Sequence, residues 1–174
     1  MNGLKVAFIL LIGALFAPAA AMDLKSADLD DGGKIALEQV YTRCGGQNIA
    51  PQLSWSGAPA GTQSFALTLI DQSVKPNKWS HWIVVGIPAT FTSLAKAAPL
   101  PAGARNIVTN FGGAGYNGPC PPAGSGPHRY QFTIWALRGP APPIGDDAKA
   151  DEVEAALEKV ALDKATLSGD FERN

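Results

Sequence analysis

Thirty consecutive residues, 98–127, contain seven glycines and six prolines. Neither a helix interior nor a central strand accepts that density of breakers, because proline lacks an amide hydrogen and glycine weakens regular backbone. A stretch this long inside a compact domain is either functional or disordered. Phe111 and Tyr116 lie within it and favour an ordered loop. The chain must therefore build its regular structure on either side and pin the loop to it. Residues capable of chemistry gather at the same place. The chain has only two cysteines and two histidines. Cys120 and His128 both fall in the string Gly118-Pro119-Cys120-Pro121-Pro122-Ala123-Gly124-Ser125-Gly126-Pro127-His128-Arg129-Tyr130. The other histidine sits in Trp79-Ser80-His81-Trp82.

The N-terminus reads as an export signal. Lys5 supplies a positive start, residues 6–16 are apolar or glycine, and Ala19-Ala20-Ala21 gives a small-residue cleavage pattern. The expectation is a signal peptide over residues 1–21 and one domain over residues 22–174; the alternative is an uncleaved anchor. The apolar run is too short to span a bilayer, and no second stretch is long enough. The protein is then periplasmic or secreted. The remaining 153 residues suit a single domain with a substantial core. They carry 13 basic and 15 acidic side chains without a basic cluster, so nucleic acid is not an expected partner. Export favours a disulfide between Cys44 and Cys120, with two buried thiols as the alternative.

The strand pattern is strongest at residues 64–71, where Phe65, Leu67 and Leu69 share one face and Ala66, Thr68 and Ile70 the other. Residues 81–87 and 129–137 read as central, doubly covered strands. Residues 53–55 read as a short strand and residues 35–42 as an edge strand. Beyond Asp146, Val153, Ala156, Leu157 and Val160 recur at helical spacing, with Asp151 and Glu154 as a candidate capping box. This C-terminal helix is expected to cover a sheet. The fold class is mainly β with peripheral helices.

Candidate site residues sit at strand ends. Asp71 closes one strand, His81 opens the next, and His128 and Tyr130 share a face at the start of the last. Aligned strands would bring all four to one end of the sheet, under the glycine-rich loop. Two imidazoles, a phenol and loop amides are donors suited to phosphate or carboxylate, with Asp71 orienting a histidine and Trp79 and Trp82 as an apolar wall. Bland readings stand beside these: Asp71 capping a turn, and the histidines as satisfied core residues. Spacing offers no metal-ligand pattern, and no cofactor is implied. The alternative function is a hydrolase using Asp71 with His81 or His128, although no serine stands in a nucleophile-elbow context.

Several strings resemble the phosphatidylethanolamine-binding protein family in its bacterial branch. They include Cys44-Gly45-Gly46-Gln47-Asn48, Pro51-Gln52-Leu53-Ser54-Trp55, His81-Trp82, Gly115-Tyr116-Asn117-Gly118-Pro119-Cys120-Pro121-Pro122, His128-Arg129-Tyr130 and Leu167-Ser168-Gly169-Asp170-Phe171-Glu172-Arg173. The resemblance implies a large antiparallel sheet packed on a smaller one, and a non-catalytic pocket for a small anion or phospholipid head group. The implied ligand-binding positions are Asp71, Trp79, His81, Gly118, Cys120, Pro121, His128 and Tyr130. It also implies lipid-binding or inhibitory roles, and export makes an extracytoplasmic protease the more natural protein target. The family's usual Asp-Pro-Asp-Ala-Pro string is altered here to Asp71-Gln72-Ser73-Val74-Lys75-Pro76. Ser73 replaces the second aspartate, and Lys75 and Lys78 are expected to add positive potential beside the pocket.

Overall fold

A computed structural model describes residues 21–145 and 148–174 of the chain; the expected signal peptide, apart from Ala21, lies outside the described residues. Along the chain come β1 (Asp23–Lys25), β2 (Gly33–Lys34), a 3-10 turn (Thr42–Cys44), β3 (Leu53–Ser56), β4 (Ser64–Asp71) and β5 (Trp79–Pro88). They are followed by β6 (Ser93–Leu94), β7 (Arg105–Asn106), β8 (His128–Leu137), α1 (Ala150–Glu158) and β9 (Ala161–Phe171). The six-stranded sheet has the order β2-β9-β8-β4-β5-β7 and the three-stranded sheet the order β1-β3-β6. Every pair is antiparallel except the short β2–β9 contact, which is parallel. The architecture is the expected one: a large, almost wholly antiparallel sheet against a smaller sheet.

The two faces of β4 explain why it has no wet side. Phe65, Leu67 and Leu69 pack with Phe132 and Ile134 of β8 against Leu24, Leu53, Trp55 and Leu94 of the small sheet. Ala66, on the opposite face, joins Ile83, Val85, Trp135 and Leu137 beneath Val153 and Leu157 of α1. Thr68 is tolerated inside because its Oγ1 accepts a hydrogen bond from Trp135 Nε1 at 3.2 Å. The helix therefore covers the sheet as expected. Its N-terminal hydrogen bond differs from the expected box, since Glu152, not Glu154, reaches back to the Lys149 amide at 3.0 Å.

Two strand assignments change. Residues 35–42 are not an edge strand; after β2 the chain turns, with Gln39 N donating to Ala36 O and Val40 N to Leu37 O. Carbonyls of this segment accept from Gln47, Asn48 and Ile49, so its polar backbone is satisfied without a partner strand. β9 was not expected, yet it pairs along the whole of β8. Its inward residues Ala165, Leu167 and Gly169 are too small a set to give a strong alternation. Gly169 is required there, because an added Cβ would lie 2.7 Å from Ile35 Cγ1 and 2.8 Å from Leu29 Cδ1. No described helix is long and apolar enough to cross a membrane.

Cys44 and Cys120 are joined in a disulfide that spans 76 residues of sequence. It ties the glycine- and proline-rich loop to the 3-10 turn. In the chain-entropy account, a closed loop of that length restricts the unfolded chain by about 4 kcal/mol. The double variant Cys44→Ala/Cys120→Ala should lose roughly that stability in urea unfolding. An unchanged midpoint would show that the other loop contacts suffice.

Candidate functional site

Antiparallel pairing puts the C-terminal end of β4 beside the N-terminal ends of both neighbours. Asp71 lies opposite Trp79 of β5 and opposite Tyr130 of β8. The β4–β8 ladder is extended past its end by Gln72 N donating to Arg129 O and Arg129 N donating to Ser73 Oγ, at 2.8 and 2.9 Å. Ser73, the position that departs from the family string, thus locks this strand end. Asp71 is 3% exposed. Its Oδ1 accepts from the Ser73 amide at 2.8 Å, so it does close a turn; its Oδ2 lies 2.6 Å from His128 Nδ1. The carboxylate fixes the proton on Nδ1 and turns Nε2 toward Ser125 Oγ, 3.1 Å away.

His81 is placed by a break in the ladder. Leu69 pairs with Trp82 and Ile70 with Ser80, so His81 is an extra residue with no opposite partner. Such bulges free a residue's backbone groups and re-aim its side chain. The freed His81 carbonyl accepts from the Asn117 amide at 3.0 Å. His81 Nδ1 in turn lies 2.9 Å from the Asn117 carbonyl and 3.2 Å from that of Gly118. Carbonyls only accept, so Nδ1 carries the proton and Nε2, across the ring, is left as an acceptor. Burial pushes the His81 pKa down to about 4 and keeps the ring neutral.

These residues border a cavity of about 360 Å³. Asp71, Trp79, His81, Cys120, Pro121, His128 and Tyr130 all line it, together with Val74, Phe111 and Pro122. Aromatic edges form much of the wall: Phe111 meets His81 at 4.9 Å and Trp79 at 6.3 Å between ring centres. Tyr130 stacks near His128 at 6.5 Å and meets His81 edge-on at 5.0 Å. Tyr130 is fully buried, and its hydroxyl has no hydrogen-bond partner. The Cys120 amide and Asp71 carboxylate lie near it without closing a bond of normal geometry. Burial, reinforced by the Asp71 charge, holds the phenol protonated well above its ordinary range. It is a donor in the cavity wall without a hydrogen bond of normal geometry.

Three expected contributors stand elsewhere. Gly118 is one layer behind the cavity: its amide donates to Asn48 Oδ1 at 2.8 Å, and its carbonyl accepts from His81. A Cβ there would fall 1.9 Å from Gln39 O, so glycine is needed for packing against residues 39–41. Trp82 is in the main core, with its Nε1 donating to Asn106 Oδ1. Lys78 pairs with Glu154 at 2.7 Å and Asp151 at 3.7 Å on the helix, so it adds no free positive charge to the rim. Asn48 and Asn117 were missed as positioning residues. Asn48 clamps the loop from both sides through Gly118 N and Tyr116 O, and only its place in a family-like string hinted at this.

Known proteins give the site a context. The sequence profile of the family described as Phosphatidylethanolamine-binding protein matches residues 25–172. The protein YbcL of Escherichia coli K12 is 36% identical over 181 residues, covering 99% of each chain. The crystal structure of E. coli YbcL, described as a new member of the mammalian PEBP family, superposes with a TM-score of 0.81 at 35% identity. That match covers 89% of this chain and 100% of the other. A Mycobacterium tuberculosis protein named as a lipoprotein, LppC, is 37% identical over 157 residues, covering 90% of this chain and 75% of its own.

The neutral, buried His81 has a consequence for stability. Its folded pKa of about 4 lies below the ordinary 6.5, so the unfolded chain binds the extra proton first. This contribution to stability is present above 6.5 and is lost as pH falls toward 4, amounting to about 3 kcal/mol in all. Urea unfolding across that window should show the decline, and nitrogen NMR should show His81 as the Nδ1–H tautomer. Titration of His81 near 6.5 in the folded protein would contradict the burial argument.

Proposed function

The chain belongs to the phosphatidylethanolamine-binding protein family, and from that premise we propose that it is an exported binding protein whose cavity takes a small anionic group. The unpartnered Tyr130 hydroxyl carries this reading. A buried polar group left without a partner costs about 1–3 kcal/mol, and such groups persist where a ligand completes them. A phosphate or carboxylate oxygen supplies the missing acceptor, and the Trp79 and Phe111 rings suit an apolar body attached to the charged head. A phospholipid head group meets that description. An extracytoplasmic protein such as a protease, modulated through the same face, is the partner class consistent with export. The disulfide and the lipoprotein name of the mycobacterial relative support an extracytoplasmic location.

A hydrolytic reading has one observation in its favour, the in-line series Asp71, His128 and Ser125. The Ser125 hydroxyl, however, donates to Pro122 O at 2.7 Å, so its proton points away from His128. That orientation suits a turn bond better than an activated nucleophile. His81, with Nδ1 bound to two carbonyls and a depressed pKa, is a neutral wall residue in this arrangement.

Calorimetric titration with inorganic phosphate should show saturable binding, weakened roughly tenfold or more by Tyr130→Phe. Undiminished binding in that variant would refute the role given to the hydroxyl. Turnover of nitrophenyl phosphate or nitrophenyl acetate, lost in Asp71→Ala, would replace the binding reading with the enzymatic one. Expression of the full chain in a Gram-negative host should yield a periplasmic protein beginning at Met22 by intact mass; a cytoplasmic product beginning at Met1 would exclude export by this route.

A further inference from the structure

An anion site is commonly furnished with cations or with free N–H groups. This cavity has neither in quantity. Among the described residues, no lysine or arginine lines it. Its wall at residues 119–122 contains three prolines, which have no amide hydrogen. The Gly118 amide is engaged by Asn48, His81 Nδ1 by two carbonyls, and His128 Nδ1 by Asp71. Among the described lining residues, three polar positions are left without a bond of normal geometry: the Tyr130 hydroxyl and the Cys120 amide, which donate, and His81 Nε2, which accepts. Ser125 Oγ, whose proton goes to Pro122 O, lies 3.1 Å from His128 Nε2 at the far side.

A ligand made only of acceptors satisfies Tyr130 but sets an oxygen lone pair against the His81 lone pair. A doubly charged ligand also meets the Asp71 carboxylate with no lining lysine or arginine to offset it. One hydroxyl on the anion removes both conflicts. We propose that the cavity selects oxyacid monoanions that keep a hydroxyl, above all the monoprotonated phosphomonoester, over phosphodiesters, sulfate and carboxylates. This rests on the anion-binding reading and narrows it. The phosphoryl hydroxyl donates to His81 Nε2 while a phosphoryl oxygen accepts from Tyr130. Burial keeps His81 neutral, and so keeps Nε2 an acceptor, down to a pH of about 4. The same head group reaches the cavity either on a small metabolite or on a phosphomonoester lipid.

The test uses the full folded chain and compares methyl phosphate with dimethyl phosphate by calorimetry. Near pH ~5, about one unit below its second pKa, a phosphomonoester is mostly monoanionic, so the pair differs chiefly by one hydroxyl. Methyl phosphate should bind about tenfold tighter or more, because a site built to pair a hydroxyl rejects the analogue lacking it. It should also shift the His81 Nε2 nitrogen resonance, and dimethyl phosphate should not. Equal affinities, tighter binding of the diester, or a silent Nε2 resonance overturns the proposal. So does stronger binding of glycerophosphoethanolamine, whose donor is an ammonium and whose phosphate is a diester. If neither methyl phosphate nor inorganic phosphate binds, the anion-binding reading fails first and this inference with it. When the monoester is preferred, dihexanoyl phosphatidic acid binding tighter than methyl phosphate assigns the lipid source, and equal affinities assign the free one.

Discussion

The exchange of hydrogen bonds between His81 and Asn117 joins the sheet to the loop, and the cavity depends on it. A strand residue ordinarily gives its carbonyl to the neighbouring strand. His81 stands outside the β4–β5 register, so its carbonyl and its Nδ1 both engage Asn117. A central strand thereby holds a segment that glycine and proline bar from regular structure of its own. Asn48 grips the same segment one residue on, Tyr41 N binds Pro119 O, and the Cys44–Cys120 bridge closes the far side. With the loop fixed at 116–120, Cys120, Pro121 and Pro122 become a wall instead of a floppy cover.

That same exchange decides the chemistry. Because Nδ1 is bound to carbonyls and the ring is buried, His81 stays neutral and offers an acceptor. Asp71, by contrast, is satisfied by the Ser73 amide and by His128, which leaves Tyr130, among the described residues, as the one buried hydroxyl without a partner. The site thus sets a phenol and an amide that donate against an imidazole that accepts, within aromatic walls. Leaving the phenol unpaired in the free protein costs stability, which a ligand oxygen recovers on binding.

Much of this was legible in the sequence where side chains follow a period. The alternation over residues 64–71 gave β4 with its bounds, and the apolar runs gave the cores of β5 and β8. Strand-end positions for Asp71, His81, His128 and Tyr130 were enough to expect their convergence on one end of the sheet. β9 was hidden because Ala165 and Gly169 carry little apolar signal, and Gly169 is small to admit Leu29 and Ile35. The bulge at His81 was also hidden, since it follows from pairing register and not from any local residue preference. So the expectation of two donor imidazoles gave way to one donor-acceptor pair. Of the loop amides expected to face a ligand, the proline positions have none and that of Gly118 binds Asn48, which leaves that of Cys120 at the cavity.

The central claim is that His81 and Tyr130 form an acceptor and a donor aimed at one ligand. A crystal structure of the protein grown with inorganic phosphate near pH ~6 addresses it directly. The account predicts a phosphate bridging Tyr130 Oη and His81 Nε2, each within about 2.5–3.0 Å of a different phosphoryl oxygen. A phosphate bound elsewhere, or one held in the cavity without contact to His81 Nε2, would contradict it.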